Sequence, residues 1–204
     1  MQSSAANSPE RRALELKAAA VLELNRRKAI ARNSEKTVYG IYRPSEHGPE
    51  LVKCLQEKDG KWIEVDKDPV VKVPEKMEPV LTKKKRFKIL FGGRSGAKTN
   101  TVGDIFLGRA KDYGDKTLCL RELQNSIEDS VHALLSSEID RLEFSDFEVT
   151  DKAIRINGDD AFKFRGMARN PEGMKSFHGF KYAWGEEAQS FSQESLEKLT
   201  PTTA

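Results

Sequence analysis

The sequence predicts an α/β fold, in which a sheet alternating with helices in the second part of the chain follows an N-terminal helix and a small β-containing appendage. Three observations predict it. A Gly-rich turn lies between a short apolar strand and a helix over residues 87–111, a second strand and a long amphipathic helix follow, and a last strand ends on two adjacent carboxylates, Glu186 and Glu187.

The elements follow in order. Residues 8–33 have helical character: Ser8 suits the N-cap, Pro9 the first helical position, and the Ala- and Leu-rich run that follows has high helix propensity. Arg11, Arg12, Lys17, Arg26, Arg27, Lys28 and Arg32 outnumber the acids there and give the helix a basic face. From Thr37 to Val73 the pattern shifts to short β-like stretches, Val38 to Tyr42, Trp62 to Val65 and Val70 to Val73, separated by Pro, Gly and Asp. A charged linker from Pro74 runs into Lys83-Lys84-Lys85-Arg86 and sets a domain boundary, with an extension over 1–77 and a core over 78–204.

In the core, the strand Phe87 to Phe91 leads through the Gly-rich turn into a helix from Lys98 to Lys111. The strand Lys116 to Leu120 precedes a helix whose apolar face carries Ile127, Val131, Leu134, Leu135, Ile139 and Leu142. Short strands follow at Phe147 to Thr150, Ala153 to Ile156 and Ala161 to Arg165, with Asn157-Gly158-Asp159-Asp160 as a hairpin turn. The last strand runs from Phe180 to Trp184.

Composition limits the alternatives. The 204 residues are 33% charged and 37% hydrophobic, enough to bury one good core beside a more polar region. A net charge of +3 does not announce nucleic-acid binding by itself. Cys54 and Cys119 have no neighbouring His or Cys at metal-ligand spacing, which points to a reducing compartment without a zinc site. The N-terminus lacks a signal-peptide apolar core and no run of about 18 apolar residues occurs, so a soluble intracellular protein with no membrane partner is expected. His47, His132 and His178 occupy unlike contexts and are assigned surface or packing roles.

The chemistry concentrates in Gly92-Gly93-Arg94-Ser95-Gly96-Ala97-Lys98-Thr99. Phosphate loops follow the pattern G-x-x-x-x-G-K-[ST], because glycines let successive N–H groups turn inward around phosphates while the following helix adds its positive end. Gly92, Lys98 and Thr99 fit, and Ala97 replaces the last glycine, a change that Gly96 is expected to absorb. Those eight residues are the expected ATP-binding set of a P-loop NTPase core of the RecA-like (ASCE) type. Lys98 neutralises the β- and γ-phosphates, Thr99 ligates Mg²⁺, and Arg94 meets charge developing on the γ-phosphate. After the aromatic strand, the expected Walker B acid Glu186 holds Mg²⁺ and Glu187 activates the attacking water. Glu187, Arg94 and Lys98 are thus the catalytic candidates, and Thr99 and Glu186 the metal candidates.

The loop Gly92 to Lys98, the passage Leu118-Cys119-Leu120-Arg121-Glu122-Leu123-Gln124-Asn125-Ser126-Ile127, the Lys175-Ser176 turn, Glu186-Glu187-Ala188, and Ser192 to Thr202 resemble the large terminase subunits of tailed bacteriophages in order and spacing. The resemblance covers about residue 78 to the end. It implies an ATPase that assembles as a homo-oligomeric ring with the portal of the procapsid, works with a small terminase subunit in the host cytoplasm, and drives double-stranded DNA inward. It also implies an incomplete core, because Ala204 precedes the strand expected to couple hydrolysis to movement and the family's nuclease domain, so nuclease activity is not expected of this chain. Two other functions remain open: a nucleotide-binding assembly or regulatory module with little turnover, and a helicase-like ATPase on the same fold.

Overall fold

The computed structural model describes residues 35–93, 97–122, 131–168 and 179–202. The chain divides into residues 1–35 and 36–204. The expected basic helix at 8–33 lies outside the described residues, as do Ile127 and the Lys175-Ser176 turn.

The β-rich stretch forms a four-stranded sheet of β1 (Tyr39–Ser45), β2 (Gly48–Lys58), β3 (Lys61–Glu64) and β4 (Val71–Pro74), ordered β3-β2-β1-β4. β2 pairs antiparallel with β1 and β3, whereas β4 returns parallel to β1, with Tyr39 opposite Val71 and Ile41 opposite Val73. These four residues are almost fully buried. β2 falls where the sequence predicts no strand, because its apolar residues follow no strict alternation and only Cys54 and Leu55 are buried. A short helix, α1 (Glu78–Thr82), adds Leu81 to the same core.

A 16-residue helix, α2 (Lys98–Tyr113), is closed by Gly114, whose φ of +64° allows its N–H to bond the carbonyl of Ala110. Beyond it lie β5 (Thr117–Arg121), α3 (Ala133–Arg141), β6 (Phe147–Val149), β7 (Ala153–Ile156), β8 (Asp159–Gly166), β9 (Tyr182–Gly185) and α4 (Gln193–Thr202). The five strands form a second sheet ordered β6-β7-β8-β5-β9. β5 is parallel to both of its neighbours, while β6, β7 and β8 run as antiparallel hairpins. Asn157 and Gly158, with φ of +52° and +83°, make the two-residue turn between β7 and β8, as the Asn-Gly pair predicts.

β5 is covered on both faces, as a parallel strand inside a sheet requires. Cys119 joins the large core with α2 and α3, whereas Leu118 and Leu120 join Met167, Phe191 and Leu199. The expected helix face is confirmed where it is described: Val131, Leu135, Ile139 and Leu142 are buried and Leu134 is partly so.

One expected element differs. Residues 87–91 belong to neither sheet, and Phe87, Ile89 and Phe91 are 56%, 85% and 92% exposed. The apolar run is real, but a strand exists only when a neighbour completes its ladder of hydrogen bonds. β5 already has β8 on one side and β9 on the other. The mixed α/β class therefore stands with a sheet that does not include the segment leading into the Gly-rich turn.

The two sheets share α2. Its residues Val102, Ile105, Leu107 and Ala110 lie in one core with β1, β4, β5 and α3. The approach is closest at Gly108, where an added Cβ would stand 2.2 Å from Tyr39 Oη and 3.2 Å from Thr37 Cγ2. At the far end of α2, Arg109 donates to Glu57 at 3.0 Å and to Asp115 at 2.9 Å, and Lys181 bonds the same Asp115 at 2.9 Å. These bonds tie β2, α2 and the start of β9 together.

Gly108→Ala gains about 1 kcal/mol of helix propensity and forces a buried tyrosine aside at a cost of about 1–3 kcal/mol. A lower urea midpoint is therefore expected for the variant, with a smaller loss for Gly103→Ala, whose nearest obstacle is the end of the Leu134 side chain at 3.1 Å. A midpoint for Gly108→Ala at or above that of the parent would show that the helix does not depend on this close approach.

Candidate functional site

The site forms where α2 starts and where β5 and β9 end. Gly92 adopts a φ of +141°, a conformation that disfavours side chains. Arg94, Ser95 and Gly96 lie outside the described residues. The loop rejoins at Ala97, the residue before α2, whose φ of +48° and ψ of +17° are left-handed. Here the expectation that Gly96 absorbs the strain is corrected. Ala97 itself takes the conformation that glycine would adopt freely, at about 1–2 kcal/mol for an L residue.

Lys98 opens α2 and turns its ammonium back into the loop, donating to the carbonyls of Gly92 at 3.0 Å and Gly93 at 2.6 Å. A point charge with three donors is thus held inside the turn, where it can exchange carbonyl oxygens for those of an anion. Thr99, one residue on, donates from Oγ1 to Glu186 Oε1 at 2.9 Å, across a sequence separation of 87. The two residues expected to share a metal are therefore neighbours.

Strand register explains the meeting. β5 and β9 run parallel with Leu120 opposite Gly185, and the N–H of Glu186 continues the ladder to the carbonyl of Leu120 at 2.9 Å. The two carboxylates thus emerge at the carboxyl ends of parallel strands, where ligands gather in α/β sheets. Behind them, Cys119 is fully buried, and burial first and the charge of Glu186 second push its thiol well above the ordinary range. A neutral thiol there packs and does not attack.

Glu187 turns away from the strand with a φ of +54°, a left-handed conformation uncommon for a residue with a side chain. Its carbonyl accepts bonds from the N–H and hydroxyl of Ser190. Its carboxylate pairs with Arg121 Nη2 at 2.9 Å, and the arginine side chain is 12% exposed against 56% for the glutamate. Arg121 is the last residue of β5, so the sheet that brings Glu186 to Thr99 also brings a guanidinium to Glu187. No side-chain periodicity marks Arg121. It stands in the sequence only within the passage that carries the resemblance.

Two further residues join the site, Asn100 from α2 and Glu138 from α3. Asn100 Nδ2 donates to Glu138 Oε1 at 2.9 Å, and Glu138 in turn accepts from Arg141 Nε. The sequence signal for Glu138 is its polarity on an otherwise apolar helix face, and Asn100 has none. The described structure therefore gathers Gly92, Gly93, Ala97, Lys98, Thr99, Glu186 and Glu187 and adds Arg121, Asn100 and Glu138.

Hydroxyl and carboxylate oxygens are the hard donors that Mg²⁺ takes, so Thr99 and Glu186 fit such an ion. Among the described residues no helix is long and apolar enough to cross a membrane.

A family model for phage terminase large subunits matches residues 84–204. No curated protein matches the chain.

Ala97→Gly removes the left-handed strain at the start of α2 and gives part of the gain back as unfolded-state entropy. A stability increase of about 0.5–1 kcal/mol is expected, read as a higher urea midpoint. A decrease would show that the methyl group makes packing contacts outweighing the strain.

Proposed function

The chain belongs to the phage terminase large subunit family, a family of viral DNA-packaging motors, and from that premise we propose that residues 92–99 with Glu186 and Glu187 form an ATP-hydrolysing site driving double-stranded DNA into a procapsid. The observation that carries this proposal is the 2.9 Å bond from Thr99 to Glu186, which joins the end of the Gly-rich loop to the end of an acidic strand.

In the proposed reaction Lys98 leaves the carbonyls of Gly92 and Gly93 for the β- and γ-phosphate oxygens. Thr99 and Glu186 would hold Mg²⁺, which would supply neutralisation of phosphate charge. Glu187 orients the attacking water and accepts its proton as the new P–O bond forms and the bond to ADP breaks. Arg94 is proposed to stabilise the equatorial oxygens as charge spreads over them.

Double-stranded DNA, the portal and procapsid, a small terminase subunit and further copies of this chain in a ring are the proposed partners. Lys83, Lys84, Lys85 and Arg86 are exposed and suit a sequence-independent grip on phosphates. The host cytoplasm is the proposed location.

One observation favours the second function, a nucleotide-binding module with little turnover. The ion pair with Arg121 takes up Oε1 of Glu187, the carboxylate assigned to water. Release of that oxygen is then a step that precedes hydrolysis.

Lys98→Ala is expected to abolish binding of a fluorescent ATP analogue, because the described loop holds no other cation over the phosphate positions. Glu187→Gln should keep MgATP binding and lose hydrolysis, whereas Glu186→Gln should raise the Mg²⁺ requirement. Wild-type binding and turnover in Lys98→Ala would falsify the assignment.

Arg121→Ala removes a half-exposed ion pair worth about 0.5–1 kcal/mol and should raise basal ATP turnover roughly 2–5-fold at unchanged analogue affinity. A fall in turnover would mean instead that Arg121 holds Glu187 in its working position.

A further inference from the structure

Between α2 and α3 lies a polar cluster that the hydrolysis scheme does not use. Arg141 Nη2 donates to Asp104 Oδ2 at 2.6 Å, Arg141 Nε donates to Glu138, and Asn100 donates to the other oxygen of Glu138 at 2.9 Å. Asp104 and Glu138 are 4% and 7% exposed. Asp104 Oδ1 is buried without a hydrogen-bond partner among the described residues.

Stability is a poor reason for such a cluster. Removing carboxylates from water costs several kcal/mol per ion, and apolar groups of similar volume commonly do as well or better at a helix interface. The surroundings are apolar already. At Gly103 an added Cβ would lie 3.1 Å from Leu134, 3.3 Å from Leu135 and 3.7 Å from Trp184, so α2, α3 and β9 converge beside the cluster. What directional hydrogen bonds supply and dispersion contacts do not is a fixed rotation of one helix against another.

Rotation matters at this end of α2. Thr99 and Asn100 are consecutive, about 100° apart around the helix, with Thr99 facing Glu186 and Asn100 facing Glu138. A turn of about 20° about the axis moves a side-chain atom roughly 6 Å out by about 2 Å, enough to break a hydrogen bond. We propose that Asn100, Glu138, Arg141 and Asp104 form a positioning device that locks the first turn of α2 so that Thr99 and Glu186 share one metal ion. The assignment rests on the hydrolytic site proposed above. Burial acts first on both acids: it raises Asp104 to about 7, whereas at Glu138 the bonds from Arg141 and Asn100 outweigh it and hold the carboxyl below its usual range. Glu138 is therefore a charged anchor for Asn100 at neutral pH.

The full chain is titrated with Mg²⁺ at fixed fluorescent ATP analogue, and the urea midpoint without nucleotide is measured alongside. Asn100→Ala should raise the half-saturating Mg²⁺ concentration about 5–10-fold and lower the midpoint only slightly, because Asn100 itself is exposed and Glu138 keeps its bond from Arg141. Asn100→Asp, which sets a carboxylate against Glu138, should be worse. The double variant Asn100→Asp with Glu138→Gln exchanges donor and acceptor and should return the Mg²⁺ requirement to within about twofold of the parent. A wild-type requirement in Asn100→Ala, while Lys98→Ala still abolishes analogue binding, overturns the positioning role and leaves the site intact. A raised requirement matched by a lower midpoint and not rescued by the exchange means ordinary packing and also overturns it. Undiminished analogue binding by Lys98→Ala removes the site and the device together.

Discussion

The parallel pairing of β5 with β9 is the constraint on which the site depends. Leu120 opposite Gly185, followed by the bond from Glu186 N–H to the Leu120 carbonyl, fixes how far each strand runs before it ends. That register sets Glu186 against Thr99 and Arg121 against Glu187. A shift by one residue would send the side chains of β9 to the opposite face, removing Trp184 from the core and both carboxylates from their partners.

α2 transmits that constraint through the molecule. Its first turn carries Lys98 and Thr99, its middle packs between β9 and α3 at Gly103, and Gly108 lets it lie against Tyr39 of the small sheet. Arg109 and Asp115 hold its last turn to β2 and to Lys181 at the start of β9. The helix is thus fixed at both ends by polar bonds and in the middle by two close approaches. The Thr99–Glu186 bond at the start of the helix depends on that rigidity, because a displacement of about 2 Å breaks a hydrogen bond.

Strain sits at the same place. Ala97 and Glu187 both take left-handed conformations, one immediately before α2 and one immediately after the acidic pair. Left-handed residues with side chains persist where surrounding structure holds them, and here each aims a functional group: Ala97 redirects the chain so that Lys98 and Thr99 begin the helix, and Glu187 turns its carboxylate toward Arg121.

The sequence by itself determined the local parts. The Gly-rich turn before Lys98-Thr99, the strand ahead of Glu186-Glu187, the Asn157-Gly158 hairpin and the buried stripe on α3 follow from backbone preferences and periodicities that act over a few residues. Residues 1–34 and 94–96 carry expectations outside the described structure. Only tertiary structure decided that residues 87–91 stay unpaired, that β2 forms between β1 and β3, that Ala97 bears the strain, and that Arg121, Asn100 and Glu138 meet the site. Periodicity reports which face of a segment avoids water. Which strand lies beside which, and therefore which charges meet, depends on pairing between residues far apart in the chain, and no short stretch of sequence encodes it.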